Sequence, residues 1–168
     1  IFSEEGDERR VYSIQTEWEE KSGSIITNKP FVRKYQNGPI SAASDWDIDW
    51  IMLRYTDVYM LYAEALYHTN NQAEALDIIN KVRIRAGLTT LTSVAISSVD
   101  SFTDVLLKER RREFCFENQR WGDLVRTDRA FDVMQKFLSR YGIADNLKSK
   151  EQYFYPIPER ETNVSGIK

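Results

Sequence analysis

The chain of 168 residues is 42% hydrophobic and 29% charged, and its net charge is −3. This composition is that of an ordinary globular domain long enough to bury a core. Acidic and basic residues are interspersed, which argues against a nucleic-acid-binding protein, because neutralising phosphates requires a basic surface. No stretch approaches the roughly 20 apolar residues that span a bilayer. The chain opens on Ile1 without a signal peptide, so we expect it to be a fragment or a processed form of a protein.

The first 48 residues show weak periodicity and several turn signals. Short polar runs that contain Gly or Pro mark these turns at residues 22–24, 28–30 and 37–39. We therefore predict an extended or irregular lead-in over this segment. Two short strand-like pieces are expected within it, at residues 10–15 and 31–35.

A helical hairpin is predicted over residues 49–88. In its first half, apolar residues recur at spacings of three and four, as on one face of a helix. These residues are Ile51, Tyr55, Val58, Tyr62 and Ala65. Further apolar surface around the rest of the helix comes from Leu53, Met60, Leu61 and Leu66, so we predict burial on more than one side and an end near His68.

The second helix of the hairpin is expected to begin at Asn71, with Glu74 in the capping-box position. Gly87 supplies the left-handed residue after the helix, and Leu88 is placed for the hydrophobic contact of a Schellman end. Because the turn between the helices is short, they must pack antiparallel, and the pair has about the size of one tetratricopeptide unit.

Further helices are predicted over residues 100–140, after a connector rich in Ser and Thr. Ser101 and Asp104 form a second cap pattern, and the helix that they open is expected to run to about Glu117. Another short helix is predicted from Trp121 onward.

The tail over residues 150–168 is predicted to be extended, because Pro156 and Pro158 remove two amide donors and fix φ. The predicted fold class is therefore mostly α. It consists of a helical hairpin of tetratricopeptide type with further helices and irregular loops.

The residues that usually carry catalysis or bind metals are sparse. His68 is the single histidine and is expected at a helix end, so a site with paired histidines is excluded. Cys115, the single cysteine, lies in an apolar run and is expected to be buried and inert. The glycine patterns that cradle phosphates do not occur. We predict no catalytic residue, no metal site and no cofactor.

Glu109 and Glu113 form the most suggestive pair of carboxylates, one helical turn apart. Two carboxylates can in principle hydrolyse a glycosidic bond. However, the three arginines between them lower the pKa of a carboxyl group, whereas a general acid requires the opposite shift. Buried ion pairing is therefore the preferred interpretation.

The same reasoning extends to the first helix, because ionisable groups in an apolar helix are costly to bury without partners. We predict that charged residues from several helices form a structural ion-pair network that locks the helices together. Its predicted members are Arg54, Asp57, Glu64, Arg83, Glu109, Arg110, Glu113, Asp123 and Arg126.

Exposed aromatic rings are the best candidates for ligand contact, since sugars stack their apolar C–H faces on flat rings. Trp46 and Trp18 lie among polar residues and are the two candidates, although covering a neighbouring surface is the commoner role. Trp50 lies next to the predicted helical stripe and is expected in the core.

Several segments, in this order and at compatible spacing, together resemble the SusD/RagB family. They are LRYTDV (53–58) with YAEA (62–65), INKVRIRAG (79–87), ERRREF (109–114) leading into RWGDLVR (120–126), and YPIP (155–158). The resemblance is strong over residues 51–163 and looser before them. It identifies residues 1–168 as a C-terminal SusD/RagB-like domain with the α/α superhelix fold of that family.

The resemblance implies a non-catalytic lipoprotein on the outer face of the outer membrane of Bacteroidetes. Such proteins bind oligosaccharides, or sometimes peptides, and act as the lid of a TonB-dependent transporter of the SusC type. The lipid anchor of the family is not in this sequence, and the matched motifs belong to the family's scaffold. No ligand-binding residue is therefore carried over. We expect this part of the protein to bind glycans weakly or not at all by itself, because the family's sugar-contacting loops lie largely upstream.

Two other functions compete with glycan binding. A tetratricopeptide-like module that binds peptides or acts as a scaffold would use the same helical hairpin. A glycoside hydrolase that uses Glu109 and Glu113 is the third hypothesis, and the surrounding arginines weigh against it.

Overall fold

The structure, a computed structural model, describes residues 1–36 and 48–165. The predicted mostly α fold is confirmed. The α-helices of the described residues are α1 (Arg9–Ser13), α2 (Tyr55–His68), α3 (Gln72–Arg85), α4 (Val99–Glu113), α5 (Arg120–Arg126), α6 (Ala130–Ser139) and α7 (Glu159–Ser165). Short 3₁₀ turns occur at Ser93–Ile96, Ala144–Asn146 and Lys150–Tyr153. The chain divides into two compact units, Ile1–Arg120 and Trp121–Lys168.

The lead-in contains two small antiparallel sheets. Strand β1 (Ile14–Gln15) pairs with β4 (Phe31–Val32), and β2 (Trp18–Glu19) pairs with β3 (Ile25–Ile26). The predicted strand-like piece at residues 31–35 therefore includes a real strand. The piece predicted at residues 10–15 is wrong over most of its length, because helix α1 occupies it and only its last two residues are extended.

The hairpin of α2 and α3 forms the base of the first unit, and α4 packs against it. The ring of Tyr67 on α2 stacks on Phe102 of α4, with ring centroids 3.8 Å apart, and its hydroxyl donates to the carbonyl of Ile96. The rest of this core is aliphatic or aromatic and comes from all three helices: Met60, Ala63, Leu66, Ala75, Ile78, Ile79, Val82, Leu106 and Phe114.

The prediction that α2 is buried on more than one side is wrong. Tyr55, Val58 and Tyr62 are exposed, with 78%, 54% and 49% of their surface accessible. The opposite face, with Met60 and Ala63, is fully buried. Because α2 is apolar on both sides, the period alone did not show which stripe faces α3 and α4.

The end of α3 has the geometry that the sequence predicted. Gly87 has φ +79, its amide bonds to the carbonyl of Ile84, and the amide of Leu88 reaches back to Arg83, which is a Schellman motif. The start of the helix differs from the prediction. The side chain of Asn71 does not cap α3 and instead donates to the hydroxyl of Thr69.

Helix α4 begins three residues earlier than predicted, because another serine caps it. The hydroxyl of Ser98 accepts from the amide of Ser101, and the hydroxyl of Ser101 accepts from the amide of Ser98. The helix also ends earlier, at Glu113 rather than near Glu117. The chain then turns through Phe116, which has φ +67.

The second unit consists of the rest of α5, with α6, two 3₁₀ turns and α7. The side-chain amide of Gln135 on α6 donates to the carbonyls of Ala144 and Leu147, and this closes the loop after the helix. The ring of Trp121 meets Tyr153 edge to face, with centroids 5.3 Å apart. The segment predicted as an extended tail has helical turns on both sides of residues 154–158.

Of the helices in residues 1–36 and 48–165, none has the length and apolar character needed to cross a membrane.

Candidate functional site

Charged residues from the lead-in and three helices meet inside the first unit. Glu109 on α4 is almost fully buried, and its carboxylate lies 3.0 Å from Arg83 of α3 and 2.7 Å from Arg9 of α1. Two of the predicted network residues, Arg83 and Glu109, are thus in direct contact. Each charge has a partner of opposite sign, which burial requires.

Glu113, one turn further along α4, is the most heavily shared carboxylate. It lies 2.8 Å from Arg54 and 3.3 Å from Arg9, and it also pairs with Arg85. Burial by itself raises the pKa of Glu113, but the hydrogen bond from Arg54 and the nearby guanidinium charges outweigh it and lower the pKa. Glu113 is therefore held ionised.

A further ion pair joins α2 to α4. Arg110 lies 2.7 Å from Asp57, and both side chains are buried. The guanidinium groups of Arg110 and Arg54 also lie over the ring of Phe114, 4.8 and 4.5 Å from its centroid. A cation over an aromatic face is attracted to the ring.

The remaining predicted network residues are Glu64, Asp123 and Arg126. Glu64 is half-buried on α2. Asp123 and Arg126 pair with each other within α5, with Oδ1 and Nη2 2.9 Å apart, and they belong to the second unit.

Sequence reasoning missed the part that the lead-in supplies to this network. Glu4 pairs with Arg83 and lies 2.8 Å from Arg112, and Arg9 is held by Asp7. These residues are far from α4 in sequence, so helical spacing could not reveal them. The one sequence feature that could have pointed to them is the cluster of charged residues in a segment with little regular secondary structure.

Glu4 makes the lead-in sensitive to acid. The hydrogen bond from Arg83 lowers the pKa of Glu4 from 4.5 to about 2, although burial by itself raises it. Since the folded-state pKa is depressed, the stabilisation is complete above about pH 4.5 and is lost as the pH falls towards 2.

We expect Glu4→Gln to weaken the pH dependence of unfolding in this window, measured by urea denaturation between pH 2 and 5. The exposed neighbour Glu5, changed to Gln, is the control. An unchanged slope for Glu4→Gln would contradict the assignment.

A groove of about 410 Å³ opens on one side of this network. Its walls come from α1, the lead-in, the start of α2, the end of α3 and the segment around the end of α4. The lining residues are Arg9, Tyr12, Ser13, Lys34, Ile51, Arg54, Arg85, Ala86, Glu113 and Glu117.

Charged hydrogen bonds fix several of the residues that line the groove. The ammonium group of Lys34 donates to the carbonyls of Glu113 and Cys115, at 3.0 and 3.2 Å, and also pairs with Glu117. Glu117 in turn lies 2.8 Å from Arg54. Because α4 ends at Glu113, the turn that follows it brings Glu117 back to the groove lining.

An aromatic platform, with Trp50 exposed and Tyr35 buried, adjoins the groove lining in sequence. The rings of Trp50 and Tyr35 are stacked, 4.8 Å apart and 7° from parallel, and the hydroxyl of Tyr35 donates to the carbonyl of Phe116. Their neighbours in sequence, Ile51 and Lys34, line the groove. Trp50 is 58% exposed, so its prediction as a core residue is wrong.

The two tryptophans predicted as ligand candidates are placed differently. Trp18 is half-buried, its indole N–H donates to the carbonyl of Lys29 at 3.2 Å, and its ring meets Phe31 edge to face. Those contacts give it a structural role in the small sheets of the lead-in. Trp46 lies outside the described residues.

Neither the cysteine nor the histidine is arranged for nucleophilic chemistry. Cys115 is buried, and burial raises the pKa of its thiol, which disfavours the reactive thiolate. His68 is exposed at the end of α2, edge-on to the rings of Tyr67 and Phe102. Glu113 is ionised by its arginines and so cannot act as a general acid.

Comparison with known proteins gives one consistent family. Residues 3–166 match the SusD family. SusD-like protein P38 of Formosa agariphila is 38% identical over 109 residues, which are 61% of this chain and 22% of that protein. SusD-like protein P2 of the same organism is 26% identical over 176 residues, with 92% of this chain and 34% of that protein covered. The chain thus spans about a fifth to a third of the length of these relatives.

Solved structures agree with this result. A SusD superfamily protein of Bacteroides vulgatus superposes with a TM-score of 0.65 over 94% of this chain and 38% of that chain. At 21% identity, this likeness is evidence for the fold alone. A SusD-like protein of Bacteroides fragilis is 35% identical, with a TM-score of 0.50 over 59% of this chain and 20% of its own.

Proposed function

The chain belongs to the SusD family, and from this premise we propose that it is the carboxyl-terminal part of a non-catalytic glycan-binding protein. The observation that supports glycan binding in this chain is the stacked pair of Trp50 and Tyr35 beside the groove. Tyr35 covers one face of the indole, and Trp50 is still 58% exposed, so a ligand can reach part of its ring.

The platform suits a sugar ring for physical reasons. Stacking on Tyr35 and the hydrogen bond from Tyr35 to Phe116 fix the orientation of the indole before any ligand arrives. A preorganised ring avoids the conformational entropy that a free side chain would lose on binding. The polar groups of the adjacent groove can then meet the hydroxyl groups of the sugar.

The test replaces the platform and measures glycan binding. A glycan screen first identifies an oligosaccharide that the chain binds, and calorimetry then measures its affinity. We expect Trp50→Ala to weaken this affinity at least about tenfold, or roughly 1.4 kcal/mol. Trp121→Ala, which removes a ring of the same type from the second unit, is the matched control. Equal affinity for the wild type and Trp50→Ala would contradict the proposal.

We propose further that the whole protein works in an uptake system of the outer membrane. In this account it is anchored by lipid on the outer face and closes as a lid over a SusC-like TonB-dependent transporter. This part of the proposal follows from family membership. Affinity purification of the full-length protein from its own membranes tests it: co-purification of such a transporter is expected, and its consistent absence would refute the lid role.

A second candidate function is peptide binding by the helical hairpin. The exposed apolar stripe of α2, with Tyr55, Val58 and Tyr62, favours it, because such a stripe can receive the apolar face of a helical peptide. Parallel peptide and glycan screens separate the two functions. Peptide binding that is lost in Val58→Asp but kept in Trp50→Ala would favour the second candidate.

A further inference from the structure

We propose that the groove beside Trp50 selects acidic saccharides, which carry carboxylate or sulfate groups, and that Arg85 is the cation that meets their charge. This inference rests on the proposed glycan-binding function and specifies the chemical class of its ligand.

The charges of the groove lining do not balance. Its residues include four cations, Arg9, Lys34, Arg54 and Arg85, but two carboxylates, Glu113 and Glu117. Arg9 is also held by Asp7 and Glu109, which lie outside the lining. The other three cations share Glu113 and Glu117, so the groove carries a surplus of positive charge.

Glu113 is shared by several of these cations. One carboxylate pairs with three guanidinium groups, those of Arg9, Arg54 and Arg85. The guanidinium groups that pair with Glu113 come from different elements, since Arg54 precedes α2 and Arg85 ends α3. Arg9 and Arg54 also have other carboxylate partners. Among the described residues Arg85 pairs with the shared Glu113 alone, so a bound anion would supply the negative charge that Arg85 lacks.

Most of the cations are fixed in place and cannot turn towards a ligand. Lys34 makes three short contacts, and Arg54 donates from all three of its nitrogens to Glu117, Glu113 and the carbonyl of Glu113. They shape the electrostatic field of the groove. Direct contact with a ligand must come from a side chain that solvent reaches.

Arg85 is that side chain. Its side chain is 57% exposed, against 27% for Arg54, 18% for Lys34 and 12% for Arg9. Besides Glu113 it contacts the hydroxyl of Thr56 at 3.4 Å, which is a long hydrogen bond. Within the described part of the chain, its Nε has no partner. A planar guanidinium group in this state can bind a carboxylate or sulfate through two parallel hydrogen bonds.

An aromatic ring lines the same groove as this cation. Tyr12 lines the groove and is 69% exposed, and the exposed Trp50 directly precedes Ile51, which also lines the groove. A sugar ring can stack on one of these faces while its acidic group reaches Arg85. Neutral sugars would gain the stacking contact alone, so the acidic sugar should bind more tightly.

The experiment compares three oligosaccharides of equal length on the 168-residue chain by NMR titration: oligogalacturonate, neutral galacto-oligosaccharide and sulfated galacto-oligosaccharide. We expect the acidic ligands to bind at least about tenfold more tightly at low salt, and this preference to shrink as ionic strength rises. The stronger of the two acidic ligands identifies the preferred anion.

Substitutions at Arg85 test whether this residue causes the preference for acidic oligosaccharides. Arg85→Gln should remove it, and Arg85→Lys should retain part of it, because the charge remains but the two parallel hydrogen bonds are lost. Arg111→Gln, which removes an exposed arginine from α4 outside the groove lining, should leave the preference unchanged. Thermal unfolding of each variant shows whether the fold is intact.

The outcomes separate this inference from the function on which it rests. If neutral and acidic oligosaccharides bind equally, the groove binds glycans and the inference about acidic ligands is overturned. If none of the three binds and broader screening also finds no glycan, both proposals are overturned. A preference that survives in Arg85→Gln, with the fold intact, would overturn the role of Arg85.

Discussion

Replacing Glu113 by Gln is expected to lower the free energy of unfolding by about 3–5 kcal/mol, the range for breaking a buried ion pair by removing one partner. Glu113 is nearly buried and shared by Arg9, Arg54 and Arg85, so its neutralisation leaves three guanidinium groups without this anion. The loss is large because uncompensated charges in a low-dielectric interior are costly. Urea denaturation at neutral pH measures it.

Glu17→Gln serves as the control, since Glu17 is an exposed residue of the lead-in. A change within about 0.5 kcal/mol is expected there, as for most surface substitutions. Glu113→Gln also tests the hydrolase hypothesis. If the variant kept its stability but lost a hydrolytic activity of the wild type, both the structural interpretation of Glu113 and the non-catalytic function would be wrong.

Gly87→Ala is expected to have the second large effect, a loss of roughly 2–4 kcal/mol in the free energy of unfolding. Two causes act together. Gly87 has φ +79, which a residue with a Cβ rarely adopts, and an added Cβ would lie 2.8 Å from the carbonyl oxygen of Gly6. Because that oxygen belongs to the backbone, the segment that carries Glu4 and Asp7 would have to move.

Gly23→Ala separates the two causes. Gly23 has a similar φ, +83, but an added Cβ would meet no atom within 4 Å. The loss of unfolding free energy in Gly23→Ala therefore reflects the backbone conformation alone, and we expect it to be about 1–2 kcal/mol. Thermal or chemical unfolding of both variants should show a clearly greater loss for Gly87→Ala. Equal losses would mean that contact with Gly6 does not constrain the end of α3.

Local chemistry in the sequence was enough to predict the helical hairpin and its end at Gly87. The Schellman motif depends on adjacent residues and on the freedom of glycine to adopt a positive φ. The cap of α4 was assigned to Ser101 instead of Ser98, because several serines in this segment can form a capping box and their competition is decided by packing. Boundaries of helices are accordingly less predictable than their existence.

The buried face of α2 could not be predicted from period alone. The stripe with Tyr55, Val58 and Tyr62 and the stripe with Met60 and Ala63 are both apolar and both helical in spacing. Which stripe is covered depends on where α3 and α4 lie, and that is a tertiary property. The same limit explains Trp50, whose apolar neighbours suggested burial although its indole is exposed beside the groove.

The ion-pair network illustrates a different limit. Its helical members, such as Arg83 and Glu109, follow from the cost of burying charge in a helix. The contributions of Glu4, Arg9 and Lys34 come from a segment with little regular structure, and sequence spacing carries no information about such distant pairings. The groove is formed by this same segment, so its location also required the structure.

The most direct test of the central claim is an NMR titration that resolves the indole N–H signals of the tryptophans, with an oligosaccharide as ligand. The proposal predicts that the Trp50 signal shifts and saturates, while those of Trp18 and Trp121 stay in place. NMR titration can follow binding in the millimolar range, which corresponds to a binding free energy of roughly −4 kcal/mol. A Trp50 signal that stays fixed while the glycan binds elsewhere on the chain would contradict the account.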